Sequence, residues 1–131
     1  MNHLALRFEF ADLLGTTVTR IAGEGALEMD DGSTAFDAII FYLKGESAFR
    51  ISCSANTDEV VVERVAKNET AMGVRGAQLT EFVGSRLGWG WVGINSHGYK
   101  DMFVLSFNGI EPQIALVGMA SKIHIYKMRP Q

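Results

Sequence analysis

A chain of 131 residues with 47% hydrophobic and 21% charged residues has the size and make-up of one soluble globular domain, with enough apolar content for a core without staples. The net charge of −3 gives no basic footprint for nucleic acid, and the one cysteine, Cys53, excludes an intramolecular disulfide. No apolar run nears the roughly 18 residues of a membrane helix and no signal-peptide pattern opens the chain, so no membrane role and a cytoplasmic location are expected.

The first strand signal is the alternation of Leu4, Leu6, Phe8 and Phe10. Phe10, Leu13 and Leu14 then follow the spacing of a helical turn, which Gly15 ends. Thr16–Ile21 is rich in β-branched residues and reads as a strand, and Ala26–Met29 as a short one. Asp30-Asp31-Gly32-Ser33 follows. Two acids beside a glycine suggest calcium, but the ligand spacing of an EF-hand loop is absent, and Asp-Gly is a hairpin signal.

Phe36–Leu43 is apolar on both faces except at Asp37, the pattern of a central strand. Ala48–Ser54 alternates, with Phe49, Ile51 and Cys53 inward and Ala48, Arg50 and Ser52 outward. Cys53 therefore reads as a small buried hydrophobe, since a reactive thiol wants a cationic, partly exposed setting. Glu59–Val65 is the next strand, and the short turns between these three imply an antiparallel meander. Residues 67–77 mix charge and glycine without a period and read as a loop. In Gln78–Leu87, Leu79, Phe82 and Val83 follow helix spacing, giving one or two helical turns ended by Gly84.

Leu87–Phe107 holds both tryptophans and reads as a hairpin, or two neighbouring strands, at the centre of a sheet. Strict alternation puts Leu87, Trp89, Trp91 and Gly93 on one face, and Gly88, Gly90, Val92 and Ile94 on the other. Glycine inside a strand marks the close approach of another element, or of a ligand lying against the backbone. After the turn Asn95–Lys100, Phe103, Leu105 and Phe107 face one way and Met102, Val104 and Ser106 the other. A turn at 108–112 leads to strands over Gln113–Met119 and Lys122–Met128, joined by a tight corner at Ala120-Ser121. These last two are candidates for apolar edge strands that could pair between copies into a homodimer. The fold expected is mainly β with a minor helical part (α+β): one domain over 1–131, a strongly curved antiparallel sheet, sandwich or partial barrel of about seven to nine strands with one or two short helices.

Little in this sequence carries chemistry. His3, His97 and His124 are scattered with no metal-ligand spacing, and no nucleophile elbow or phosphate-binding loop is present, so no catalytic set, metal or cofactor is expected. Arg50, Arg64 and Arg75 are separated by turns, and read as solvated surface groups. One polar constellation stands out: Asn95, His97, Tyr99 and Asp101 beside Trp89 and Trp91. These six residues could hold a small polar ligand against an aromatic wall. Alternatively, Asn95 and Asp101 bond the backbone of the turn while Tyr99 packs over it.

Trp89-Gly90-Trp91, the run from Asn95 to Asp101 and the ending Ser121–Tyr126 resemble a family of small bacterial proteins of unknown function. Its members show a W-x-W pair, an N-x-x-G-Y-x-D turn and an S-x-I-x-(V/I)-Y ending. The Phe36–Ser54 strand pair is similar too. The resemblance covers most of the chain and is sharpest over Leu87–Tyr126. It implies a bacterial origin and a compact domain of α+β or mainly β type, and transfers no activity.

The function expected is a non-catalytic protein-interaction module, comparable in size and acidity to immunity proteins that cover a toxin's surface. The alternative is a small-molecule site lined by Trp89, Trp91, Tyr99 and Met102. An enzyme would need His97 or His124 to meet Asp101 or Asp37.

Overall fold

The computed structural model describes residues 10–45, 47–67, 72–73 and 79–128. The strand expected before residue 10, and most of the 67–77 loop, fall outside them. In chain order the strands are β1 (Val18–Glu24), β2 (Leu27–Glu28), β3 (Thr34–Phe36), β4 (Ala38–Leu43), β5 (Ala48–Cys53) and β6 (Val60–Val65). They continue with β7 (Met72–Gly73), β8 (Leu87–Gly93), β9 (Met102–Phe107), β10 (Pro112–Met119) and β11 (Lys122–Lys127). The helical turns expected near residues 10 and 80 are 3₁₀ turns, Phe10–Leu13 and Thr80–Phe82.

Two antiparallel sheets form a β sandwich. One has five strands in the order β6-β5-β4-β1-β7, the other six in the order β2-β3-β11-β10-β9-β8. The apolar run from Phe36 to Leu43, expected as one strand, is divided at Asp37. Phe36 ends β3 in one sheet, and Ala38 begins β4 in the other. The partner strand crosses at the same level, between Glu24 and Leu27. A single long hairpin, with its tip near Gly32, is thus bent over a corner and shared by both sheets.

Local sterics set the bend. Gly25 has φ +62°, and the space a Cβ would fill is occupied by the Asp37 carboxylate. The Asp37 N–H donates to Glu24 O at 2.8 Å, and Lys122 Nζ reaches Asp37 Oδ1 at 2.7 Å and Gly25 O at 3.3 Å. The ion pair is partly exposed and contributes about 0–1 kcal/mol, so it orients the corner more than it stabilises it. A second junction joins the sheets where the chain enters β1. There Gly15 and Val18 donate to Leu87 O and Ser85 O, at 2.7 and 2.8 Å, and Leu87 donates back to Thr16 O at 2.8 Å.

Between the sheets lies the core. Ile39, Phe41 and Leu43 of β4 meet Phe49 and Ile51 of β5, Phe103, Leu105 and Phe107 of β9, and Ile114 and Leu116 of β10. Phe41 stacks on Phe49 at 4.9 Å, and Phe82 on Phe107 at 4.5 Å. A fully buried side chain of this size contributes about 1.5–3 kcal/mol. The other face of β4 is buried as well, with Ala22, Ile40, Tyr42 and Ala48 in a second cluster. That double burial is what the unbroken apolar reading of the strand required.

Two expectations of strand order are corrected. Among the described residues the tryptophan strand β8 is the last strand of its sheet, and not central. Conversely β10 and β11, expected at an edge, are interior: β10 lies between β9 and β11, and β11 lies between β10 and β3. Periodicity could not show this, because the strand beside β11 comes from the bent hairpin more than 80 residues earlier.

At one end of the sandwich the β5–β6 loop clasps the β10–β11 turn. Ala120 and Ser121 both have positive φ, +52° and +63°, the backbone of a type I′ turn without the glycine or asparagine that favours it. The Asp58 carboxylate compensates by accepting both their N–H groups, at 3.1 and 2.8 Å. Gly118 lets the loop approach, since a Cβ there would meet Asp58 O. Asp58→Ala is expected to lower the unfolding free energy in urea by about 2 kcal/mol, and Asp58→Asn by less than half as much.

Candidate functional site

Strict alternation would keep Leu87 and Trp89 on one face. In the structure Leu87 is buried at 2% exposure and Trp89 is turned outward at 49%. The difference comes from an irregularity in pairing: Leu87 faces Phe107, but Gly90 already faces Leu105. Across this bulge, the buried Ser106 hydroxyl accepts the Trp89 N–H at 2.7 Å and donates to Gly109 O at 2.7 Å. A bulge re-aims the side chain beside it, and here it aims Trp89 at solvent. The glycines serve packing. A Cβ at Gly88 would collide with Ser106 Oγ and Gly109 O, and one at Gly90 would lie 2.8 Å from the Phe103 ring.

Trp91 stands two residues on, its ring 6.0 Å from that of Trp89 and tilted by 48°. The register carries this aromatic pair across the outer face of the six-stranded sheet. One row runs Trp91, Val104, Ala115, Tyr126; the next runs Gly93, Met102, Val117, His124. Tyr126, at 50% exposure, ends the first row opposite the tryptophans.

The 94–101 loop organises itself. Asn95 Oδ1 accepts the N–H groups of His97 and Tyr99, at 2.8 and 3.2 Å, and its Nδ2 donates to Asp101 Oδ2 at 3.1 Å. Gly98, at φ +87°, donates to Asn95 O. The loop is also tied to its neighbours: the Lys100 N–H donates to Glu59 Oε2, Lys100 O accepts from Val60, and Asp101 O accepts from Gly118. Of the six residues singled out in the sequence, the structure brings Trp89 to Trp91 and Asn95 to Asp101. His97 and Tyr99 lend main-chain groups to Asn95 and are exposed.

No histidine–acid pair forms from the groups considered. Asp37 is held by Lys122 and Asp101 by Asn95, while His124 Nε2 lies 3.3 Å from Met119 O. His124 instead shares a cleft with Asp31, whose carboxyl is held below its usual range chiefly by the Ser33 hydroxyl and N–H, with a small contribution from His124. Among the described residues, no group of three or more His, Cys, Asp or Glu is gathered to hold a metal, and no helix is long and apolar enough to cross a membrane. Of the arginines, Arg50 pairs with Glu24 and Glu63, and Arg64 donates to Ser47; Arg75 lies outside the described residues.

Cys53 is half-buried, 3.7 Å from both Asp58 Oδ1 and Ser54 O. Burial first, then the negative charge and hydrogen bond of Asp58, push its thiol from 9.0 up to about 11.

Where β8 begins, a groove of about 450 Å³ opens beside Trp89, lined by Leu14, Arg86, Asn108 and Ile110 among others. The pocket expected at this strand shares only Trp89 with it, since Trp91, Tyr99 and Met102 do not line it. Arg86, Leu14 and Ile110 share no sequence pattern, because they come from three separate segments joined by the seam between β1 and β8 and by the bonds between Arg86 and Asn108. The one local signal was the Asn108-Gly109 turn.

These features define an antiparallel β sandwich whose outward tryptophan pair closes an apolar sheet face. The chain belongs to the family of unknown function DUF6334, which it matches over residues 1–131. No curated protein and no solved structure matches it.

Two measurements follow from this geometry. Ser106→Ala leaves the Trp89 N–H without its acceptor, so it is expected to cost about 1–3 kcal/mol in urea unfolding and to shift the Trp89 indole resonance more than that of Trp91. For Cys53, native and unfolded chains both keep the proton below pH 9; between 9.0 and about 11 only the unfolded chain loses it. Stability should therefore fall as pH rises through that window, and Cys53→Ala should remove this part of the fall.

Proposed function

We propose that the protein is a non-catalytic interaction module of bacterial origin. It binds a protein partner on the outer face of the six-stranded sheet. The observation that carries this reading is the outward Trp89–Trp91 pair at the end of the row Val104, Ala115, Tyr126. Burial in a core would normally claim two tryptophans, yet a bulge held by a buried serine turns Trp89 to solvent. Tryptophan and tyrosine give large, rigid contact area at little entropic cost, and they dominate the energetics of protein interfaces. The immunity-like form of the reading, in which the partner is a toxin, rests on size and acidic charge alone. Pairing of a second copy on the same face is the other form.

The test places a photo-crosslinking amino acid at Trp91, and as control at Arg50 on the outer face of the opposite sheet, in the producing cells. A crosslinked polypeptide from position 91 and none from position 50 supports the module, and the crosslinked mass separates a foreign partner from a second copy. Equal labelling from both faces, or none from position 91, sinks it. Trp91→Ala is expected to weaken a complex found this way by at least tenfold, about 1.4 kcal/mol or more.

A further inference from the structure

The geometry points to a binding site for a small apolar carboxylate in the groove between Trp89 and Arg86, which shares Trp89 with the sheet face but does not rest on a protein binding there. Three observations converge on it. The volume, about 450 Å³, lies within the range of small-ligand sites. Its walls include three large apolar side chains that folding leaves exposed: Leu14 at 44%, Trp89 at 49% and Ile110 at 63%. The polar side chains lining it, Arg86 and Asn108, are offered as donors, and no carboxylate lines it.

The donor bias follows from how the groove floor is bonded. The Arg86 N–H donates to Asn108 Oδ1, and the Asn108 N–H donates to Arg86 O, both at 2.8 Å. This exchange locks the two residues side by side and turns the amide oxygen of Asn108 to the Arg86 N–H, leaving its NH₂ group to donate. Gly109 O, a backbone acceptor in the lining, already receives the Ser106 hydroxyl. Among the described residues, the Arg86 guanidinium makes no ion pair or hydrogen bond, whereas those of Arg50 and Arg64 are engaged. A planar fork of N–H donors beside an amide NH₂ matches a carboxylate better than any neutral group. The apolar walls then take an aromatic or branched hydrocarbon body, with the indole of Trp89 as one side. The groove is open to solvent, which suits a ligand exchanged rapidly rather than one sealed in.

The experiment is an NMR titration of the full chain with 4-phenylbutanoate and, separately, its neutral amide, 4-phenylbutanamide. The Trp89 indole N–H is the readout, with Trp91 as internal reference. Expected is a shift at Trp89 with a dissociation constant below about 1 mM for the acid, and at least tenfold weaker binding of the amide. Arg86→Gln should erase the preference for the acid. Its backbone bonds to Asn108 stay in place, so the seam survives the change. Ile110→Ser, on an exposed residue, should weaken acid and amide alike, because it removes wall and not charge. The proposal is overturned by equal binding of acid and amide, by no shift at Trp89 up to about 10 mM acid, or by an acid preference that persists in Arg86→Gln.

Discussion

At Gly25 the carboxylate of Asp37 stands where a side chain would have to go, and the chain turns with positive φ around it. This contact lets one hairpin leave the five-stranded sheet and continue in the six-stranded one. The rest of the sandwich depends on it. β3 can reach β11 only because the bend puts Phe36 and Ala35 beside Ile123 and His124. Lys122, at the start of β11, then closes over the corner onto Asp37. The ion pair itself is weak; the steric fit beneath it and the phenylalanine core between the sheets supply most of the constraint.

The second junction has a more local purpose. Where residues 15–18 meet 84–87, the beginning of β8 is fastened on both sides: to the seam by Leu87, and to β9 through Phe107. Beyond it, the Ser106 bulge shifts the strand by one position. Both tryptophans thereby leave the core side, while Gly90 lets Phe10 and Phe103 fill the space beneath them. Core packing and the exposed aromatic surface are thus two results of one irregularity. The aromatic surface is carried by paired strand, and not by a loop.

What could be read from the sequence was local in origin. The Ala48–Ser54 alternation, the β4–β5–β6 meander and the turns at Gly15 and Gly84 depend on neighbours a few residues away, and they stand where the pattern put them. The self-bonding of Asn95 is of the same kind. The division at Asp37 was hidden because one polar residue in an apolar run looks like a tolerated exception. The outward turn of Trp89 was hidden because its cause, Ser106, is 17 residues away. Likewise the groove has almost no sequence signature, since Leu14, Arg86 and Ile110 meet only where the seam and the Arg86–Asn108 bonds bring their segments together. Strand order failed for β8, β10 and β11 for the same reason: an edge is a property of the whole sheet.

The Asp58 clasp and the Lys122 corner share a feature that bears on how the chain is made. Each joins residues more than 60 positions apart, and both await the β10–β11 turn. During synthesis the β4–β5–β6 meander is complete long before its covering sheet exists. Its inner face, with Ile39, Phe41, Phe49 and Ile51, must stand open to the cell until β9 to β11 have emerged. Distant pairings of this kind form slowly, and an uncovered apolar sheet is prone to association in the meantime. The fold therefore passes through an interval in which the inner face of the meander lacks its covering sheet.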